Sequence, residues 1–168
     1  MAIRGLGPEV LRYLRSTLRD EADAADAHSI WAERLWHGLA SFRFECSLLT
    51  WALRLATNTA VNVRNAAWRR RVRRFRTGEA SAIAAETRAS SLVRVEREAR
   101  GLEALQRLLS VPEQALLALR LDRKLSWQEI ADVLSRDGRP VTAGTVSKRF
   151  ERIKDRLRRK AREQGLIE

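Results

Sequence analysis

The sequence predicts an all-α protein: two small helical domains joined by a flexible linker, the C-terminal one a helix-turn-helix. Three observations carry that reading. Proline and glycine are scarce, at 3 and 8 of 168 residues, which suits helices and fits poorly with a turn-rich strand fold. Apolar residues recur at steps of three and four along most of the chain, the spacing of one helical face. Residues 77–90 hold a single large aliphatic, Ile83, and read as a linker between domains over 1–76 and 91–168.

The elements follow in order. Pro8 after Gly7 suits the first turn of a helix, and Val10, Leu11, Leu14 and Leu18 give that helix one apolar face. Asp20, Glu21, Asp23 and Asp26 then place carboxylates where a second helix begins, complementing its dipole. Trp31, Leu35 and Leu39 continue that helix at four-residue spacing.

The third helix carries two stripes. Leu49, Leu53, Ala56, Ala60, Val63 and Ala67 trace an apolar face, and Arg54, Asn58, Asn62, Asn65 and Arg69 trace a second, polar one. Asparagine is a weak helix former, so three on one stripe point to ligand contact. Each amide can donate and accept, as base edges require. The helix runs on through Trp68 into the arginine-rich stretch 69–76, with no acid between Val61 and Gly78. Aromatics interleaved with arginines favour nucleic acid.

Beyond the linker, Leu92, Val95, Ala99, Leu102 and Leu105 resume helical spacing. Ser110 and Glu113 have the spacing of a capping box and open a helix carrying Leu116, Leu117 and Leu121. Ser126 and Glu129 repeat the box, with Leu125 and Ile130 placed for a hydrophobic staple, and that helix runs to about Leu134. A turn with Gly138 and Pro140 follows. The last helix starts near Thr142, with Val146, Phe150, Ile153 and Leu157 inward and a basic remainder. A capped helix, a turn and a basic amphipathic helix make a helix-turn-helix.

Charge divides the chain similarly. The net charge is +12, from 33 Lys and Arg against 21 Asp and Glu. Residues 1–76 carry 14 basic and 7 acidic side chains, 77–141 carry 10 of each, and 142–168 carry 9 and 4. Two basic ends around a neutral middle indicate two contact points on one long polyanion.

Together these residues resemble a known family. The run from Phe42 through Thr50-Trp51, Arg54 and Asn58 to Asn62 is similar to the promoter-melting segment of bacterial extracytoplasmic-function (ECF) sigma factors. Leu125 to Ala131, followed by Gly144 to Arg152, resembles the same family's C-terminal promoter-reading helix-turn-helix. The two matches stand in the family's order, with a linker between them. The resemblance implies a sigma factor with a region 2 domain over 1–76, a linker over 77–90 and a region 4 domain over 91–168. Core RNA polymerase and promoter DNA are the implied partners, melted at −10 and duplex at −35, and an anti-sigma factor is a third.

By that resemblance the loop from Phe42 to Leu48 receives a flipped base, so Phe42, Arg43, Cys46, Ser47 and Trp51 join the polar stripe as −10 contacts. Ser147, Lys148, Glu151 and Arg152 face −35 bases, and Arg149 holds phosphate. Asp26, Ser29, Ile30, Glu33, Arg34 and Trp36 match the helix that grips polymerase. Two departures stand out: Ser29-Ile30 replaces a common Gln-Glu, and the turn from Ser135 to Gly144 is about five residues longer than usual.

Other classes fit less well. A hydrophobic share of 45% exceeds that of a disordered basic tail. The single cysteine, Cys46, excludes an internal disulfide and a multi-cysteine zinc site. His28 and His37 have no metal-ligand spacing with it, and neither cofactor, metal nor catalytic arrangement is expected. No apolar run nears the roughly 20 residues that cross a bilayer, and Met1–Pro8 lacks a secretory core, so a cytoplasmic protein is expected. The alternative function is an autonomous helix-turn-helix regulator, which has no use for a stripe that binds melted strand. The five tryptophans are expected mostly in the core, with Trp51 set apart beside the base pocket.

Overall fold

The computed structural model describes residues 3–76, 105, 108–135 and 139–167. Six helices are found there: α1 (Ile3–Leu18), α2 (Glu21–Gly38), α3 (Leu48–Arg76), α4 (Val111–Leu117), α5 (Trp127–Leu134) and α6 (Ala143–Glu163). No sheet occurs among the described residues, as the all-α expectation requires. The expected linker, the apolar positions from Leu92 to Leu102 and Gly138 lie outside the described residues.

The first helix begins earlier than the sequence suggested, with Pro8 inside it. Burial of Leu6, at 6% exposure, accounts for the extra turn. Val10, Leu14 and Leu18 are buried as expected, and Tyr13 joins them. Arg19 takes a left-handed φ of 60°, ending α1, and Asp20 caps α2 by accepting from the Asp23 amide at 2.8 Å. Trp31 is buried in α2 and donates its indole N–H to the Ala52 carbonyl of α3 at 3.0 Å.

Helix α3 spans 29 residues, about 44 Å at 1.5 Å per residue. Ala52, Ala56 and Ala60 on its inner side are fully buried. Short side chains there let its neighbours approach closely, so α3 packs against α1 and α2 on one flank and α4 and α5 on the other. One continuous apolar cluster results, running from Val10 and Leu53 through Leu119 and Ile130 to Ile153.

Both capping boxes form. The amide of Ser110 donates to Glu113 at 2.8 Å, and that of Ser126 to Glu129 at 2.8 Å. Ile130 is fully buried, with Leu125 packed on the same cluster. Leu121 departs from expectation, being 59% exposed. The chain after α4 winds into a wider π turn over Ala118–Asp122, closed by the Arg123 amide on the Ala118 carbonyl at 3.1 Å. Leu119, three and four positions after the buried Leu116 and Ala115, takes the inward place, and Leu121 faces out.

Helix α6 starts where Thr142 accepts from the Thr145 amide at 3.2 Å. Trp127 meets Phe150 edge-on at 5.3 Å, and Arg120 lies 4.2 Å over the Trp127 ring. Ser135 ties the turn by bonding Ala131 at 2.7 Å and Val141 at 2.9 Å. Together these contacts fix α6 against α5 as a helix-turn-helix.

The tryptophans correct the expectation. Of the five, only Trp31 is buried, while Trp36 and Trp68 stand 75% and 65% exposed. Each follows a residue of the expected apolar stripe, Leu35 or Ala67, by one position. One residue turns about 100° around a helix, which carries both rings off the apolar stripe.

Candidate nucleic-acid interface

The loop joining α2 to α3 is built around aromatic rings. Phe42 lies 5.0 Å from Trp51 and 4.8 Å from Phe44, between ring centroids. Trp51 packs closely on Gly38, where a Cβ atom would come within 2.8 Å of the indole. Glycine at 38 is thus a condition for the ring's position. A recess of about 330 Å³ opens beside them, lined by Phe42, Arg43, Cys46, Trp51, Arg54 and others. Five of the expected −10 residues therefore converge on one polar-and-aromatic hollow.

Ser47 takes a different part. Its hydroxyl accepts from the Thr50 amide at 3.0 Å and so caps α3. Phe44 falls within the expected loop but is not singled out there by the sequence. It is 85% exposed and has a left-handed φ of 58°, an outlier for a bulky side chain. Such strain clusters at binding sites, and the Phe42-x-Phe44 alternation was the available signal.

Along α3, Asn62, Asn65 and Arg69 are exposed, as a ligand-facing stripe requires. Arg54 and Asn58 are only half-exposed, because the C-terminal half lies against them. The Arg54 Nε donates to the Asp132 carbonyl at 2.9 Å. Asn58 lines a cleft of about 540 Å³ that Arg149 and Arg152 also line. The structure thus brings two expected −35 residues to one expected −10 residue.

On α6, Lys148, Arg149, Glu151 and Arg152 are exposed and Ser147 half-exposed. Glu151 pairs with Lys154 one turn on. Arg156 reaches back to Glu113 at 2.8 Å, tying α6 to the start of α4. Burial pushes the Glu113 carboxyl up. Hydrogen bonds from the Ser110 amide and hydroxyl, with the Arg156 guanidinium, outweigh it and hold the group below its ordinary value.

The six expected polymerase contacts share the outer surface of α2. Asp26, Ser29, Ile30, Glu33, Arg34 and Trp36 are all exposed, and Trp36 gives that surface a large aromatic. Arg34 also donates to Thr59 of α3 at 3.3 Å. Among the described residues no cluster of metal-ligating side chains is found, and no helix is long and apolar enough to cross a membrane.

Residues 2–77 match the family model described as Sigma-70 region 2. No curated protein matches the sequence. Among solved structures, the chain is similar to the sigma factor RpoE in complex with the anti-sigma factor NepR from Bartonella quintana, with a TM-score of 0.63. Sequence identity is 16% over 96% of this chain and 94% of that one, so the likeness is one of fold and extends through both halves. The region that α1, α2 and α3 build thus carries the likeness to sigma-70 region 2.

Proposed function

We propose that this protein is an ECF-type sigma factor, which directs core RNA polymerase to particular promoters and helps melt them. One observation carries the reading: an aromatic recess at Phe42 and Trp51 adjoins a helix whose exposed stripe is asparagine and arginine. A base leaving its stack needs an aromatic surface to replace lost stacking and amides to meet its exposed edge. Duplex binding alone does not call for the aromatic surface.

In this reading, residues 1–76 form the domain that grips polymerase and the −10 strand, 77–90 the linker, and 91–168 the −35 domain. The −10 contacts are Phe42, Arg43, Cys46, Trp51, Arg54, Asn58, Asn62, Asn65 and Arg69, with Ser47 acting through the helix cap. The N-terminal half of α6 lies in the −35 major groove, with Ser147, Lys148, Glu151 and Arg152 toward bases and Arg149 toward phosphate. The exposed face of α2, from Asp26 to Trp36, contacts polymerase. The protein works where polymerase does, in the cytoplasm. An anti-sigma factor is a natural further partner, since the fold is shared with a sigma factor seen in such a complex.

Transcription in vitro with core polymerase on a promoter library tests this. Initiation at a small set of related promoters is the expected result. Tight sequence-specific DNA binding by the free chain, with no effect on polymerase, would establish the autonomous regulator instead.

A further inference from the structure

The cleft lined by Asn58, Arg149 and Arg152 is also lined by Arg156, which belongs to neither proposed set of DNA contacts. Arg149, Arg152 and Arg156 stand at steps of three and four along α6, which puts three guanidiniums on one face of the helix. Seven residues rise about 10 Å, so the three cations form a short row. Among the described residues Glu113 is the one acid on the lining, and both its oxygens are engaged. Oε1 accepts from the Arg156 Nη2 at 2.8 Å, and Oε2 accepts from the Ser110 amide and hydroxyl, each at 2.8 Å. A carboxylate so occupied offers little repulsion to an entering anion.

Further features favour a small ligand. The Arg156 Nε is buried and has no hydrogen-bond partner among the described residues. A buried donor left unpaired is costly, and an anion beside it would supply the missing acceptor. The remaining walls are largely apolar, from Val61 of α3, Pro112 and Leu116 of α4, and Val133 and Leu134 of α5. Asn58 adds an amide that can donate and accept. A volume of about 540 Å³ is that of a small-molecule site, in which apolar walls hold the body and a few polar groups orient it.

We infer that this cleft binds a nucleoside polyphosphate, with its phosphates on Arg149, Arg152 and Arg156 and its base against the apolar walls, one edge toward Asn58. A guanidinium meets phosphate oxygens in pairs, and a row of three suits a chain of phosphates. Inorganic phosphate would use the arginines and leave the walls bare. The site itself does not depend on the proposed function. That reading adds one consequence: Arg149 and Arg152 serve −35 DNA as well, so nucleotide and promoter draw on the same guanidiniums.

Calorimetric titration of the full chain with GTP tests the site, without divalent cation and at about 0.15 M salt, which screens exposed charges beyond about 8 Å. Saturation at one GTP per chain is the expected result. Arg149→Ala and Arg152→Ala should each weaken binding about tenfold by removing a charge-assisted bond. Arg156→Lys keeps a charge for Glu113 but lacks Nε, and should weaken binding several-fold. The pair Arg64→Ala with Arg158→Ala, exposed positions off the cleft, should leave affinity within about twofold. Tripolyphosphate should bind about fivefold more weakly than GTP, having no body to set against the apolar walls. Absence of saturation, affinity unchanged in both alanine variants, or an equal loss in the Arg64 and Arg158 pair overturns the site. Equal affinity for tripolyphosphate overturns its nucleoside part. If Arg156→Lys fails to fold, as circular dichroism would reveal, the alanine variants and the control pair still decide. Excess promoter duplex should displace GTP. Binding that the duplex leaves untouched would remove Arg149 and Arg152 from −35 DNA and leave the nucleotide site standing.

Discussion

Tyr13 of α1 and Thr57 of α3 share a hydrogen bond of 2.7 Å inside the core, both side chains being buried. The Thr57 hydroxyl donates to the Leu53 carbonyl at 2.8 Å, so its proton is committed and the phenol must be the donor. Burial foremost raises the Tyr13 pKa to about 12. Tyr13→Phe should cost about 1–2 kcal/mol at neutral pH by removing one buried bond. The phenol stays neutral in the folded state after its unfolded counterpart ionises near pH 10. Its contribution is therefore full below pH 10 and is lost as pH rises toward about 12. Tyr13 is the single tyrosine, so tyrosinate absorbance reports this titration directly, and denaturant melts of wild type and variant check the stability.

Acid should act through Glu113. Its carboxyl is held below the ordinary range, so its contribution is full above the unfolded value near 4.3 and is lost as pH falls through the lower folded value. Glu113→Gln should be less stable at pH 6 yet lose less on acidification to pH 3. Urea melts at the two pH values measure the difference, and equal losses in both proteins would dismiss this account.

The two surfaces proposed to face DNA should separate by mutation. Arg152→Ala should weaken promoter binding by about 1–3 kcal/mol and relax preference at one −35 position. Asn58→Ala should leave −35 occupancy intact and slow open-complex formation, because its contact exists only with an unstacked base. Footprinting reads the first effect and permanganate reactivity the second on the same promoter. Normal melting with Asn58→Ala, together with melting lost and −35 occupancy kept in Arg152→Ala, would refute this division.

Trp36 should matter only in the presence of polymerase. Its ring is 75% exposed, so Trp36→Ala should change folding stability by less than about 0.5 kcal/mol. If it anchors the polymerase contact, core affinity should fall by about 2 kcal/mol, near thirtyfold, as buried interface aromatics do. Calorimetric titration of core polymerase measures this, and unchanged affinity would remove Trp36 from that surface.

Much of the fold was legible because it is local. Ser110 and Ser126 announced their helices through capping boxes, and the carboxylates from Asp20 to Asp26 marked the start of α2 by their charge. The two stripes of α3 followed from period alone, and its exposed asparagines lie where period put them. What escaped was non-local or geometric. Leu121 misled because it keeps step with Leu117, which is only half-buried, and not with the buried Leu116. Trp36 and Trp68 misled because hydrophobicity was weighed above angle. Half-burial of Arg54 and Asn58 depends on α5, which no pattern within α3 can reveal.

The alanine row on α3 also shapes how this protein can diversify. Ala52, Ala56 and Ala60 leave no room for growth, since added methylenes in a packed core cost about 1–3 kcal/mol each. Asn62, Asn65 and Arg69 lie on the open side of the same helix, where exchange leaves the packing untouched. One helix therefore has a frozen edge and a free edge. On the proposed reading, sequence preference can drift along the free edge without rebuilding the scaffold. If these residues contact the promoter as proposed, a library varied at 62, 65 and 69 alone should sample new preferences while nearly every member still folds.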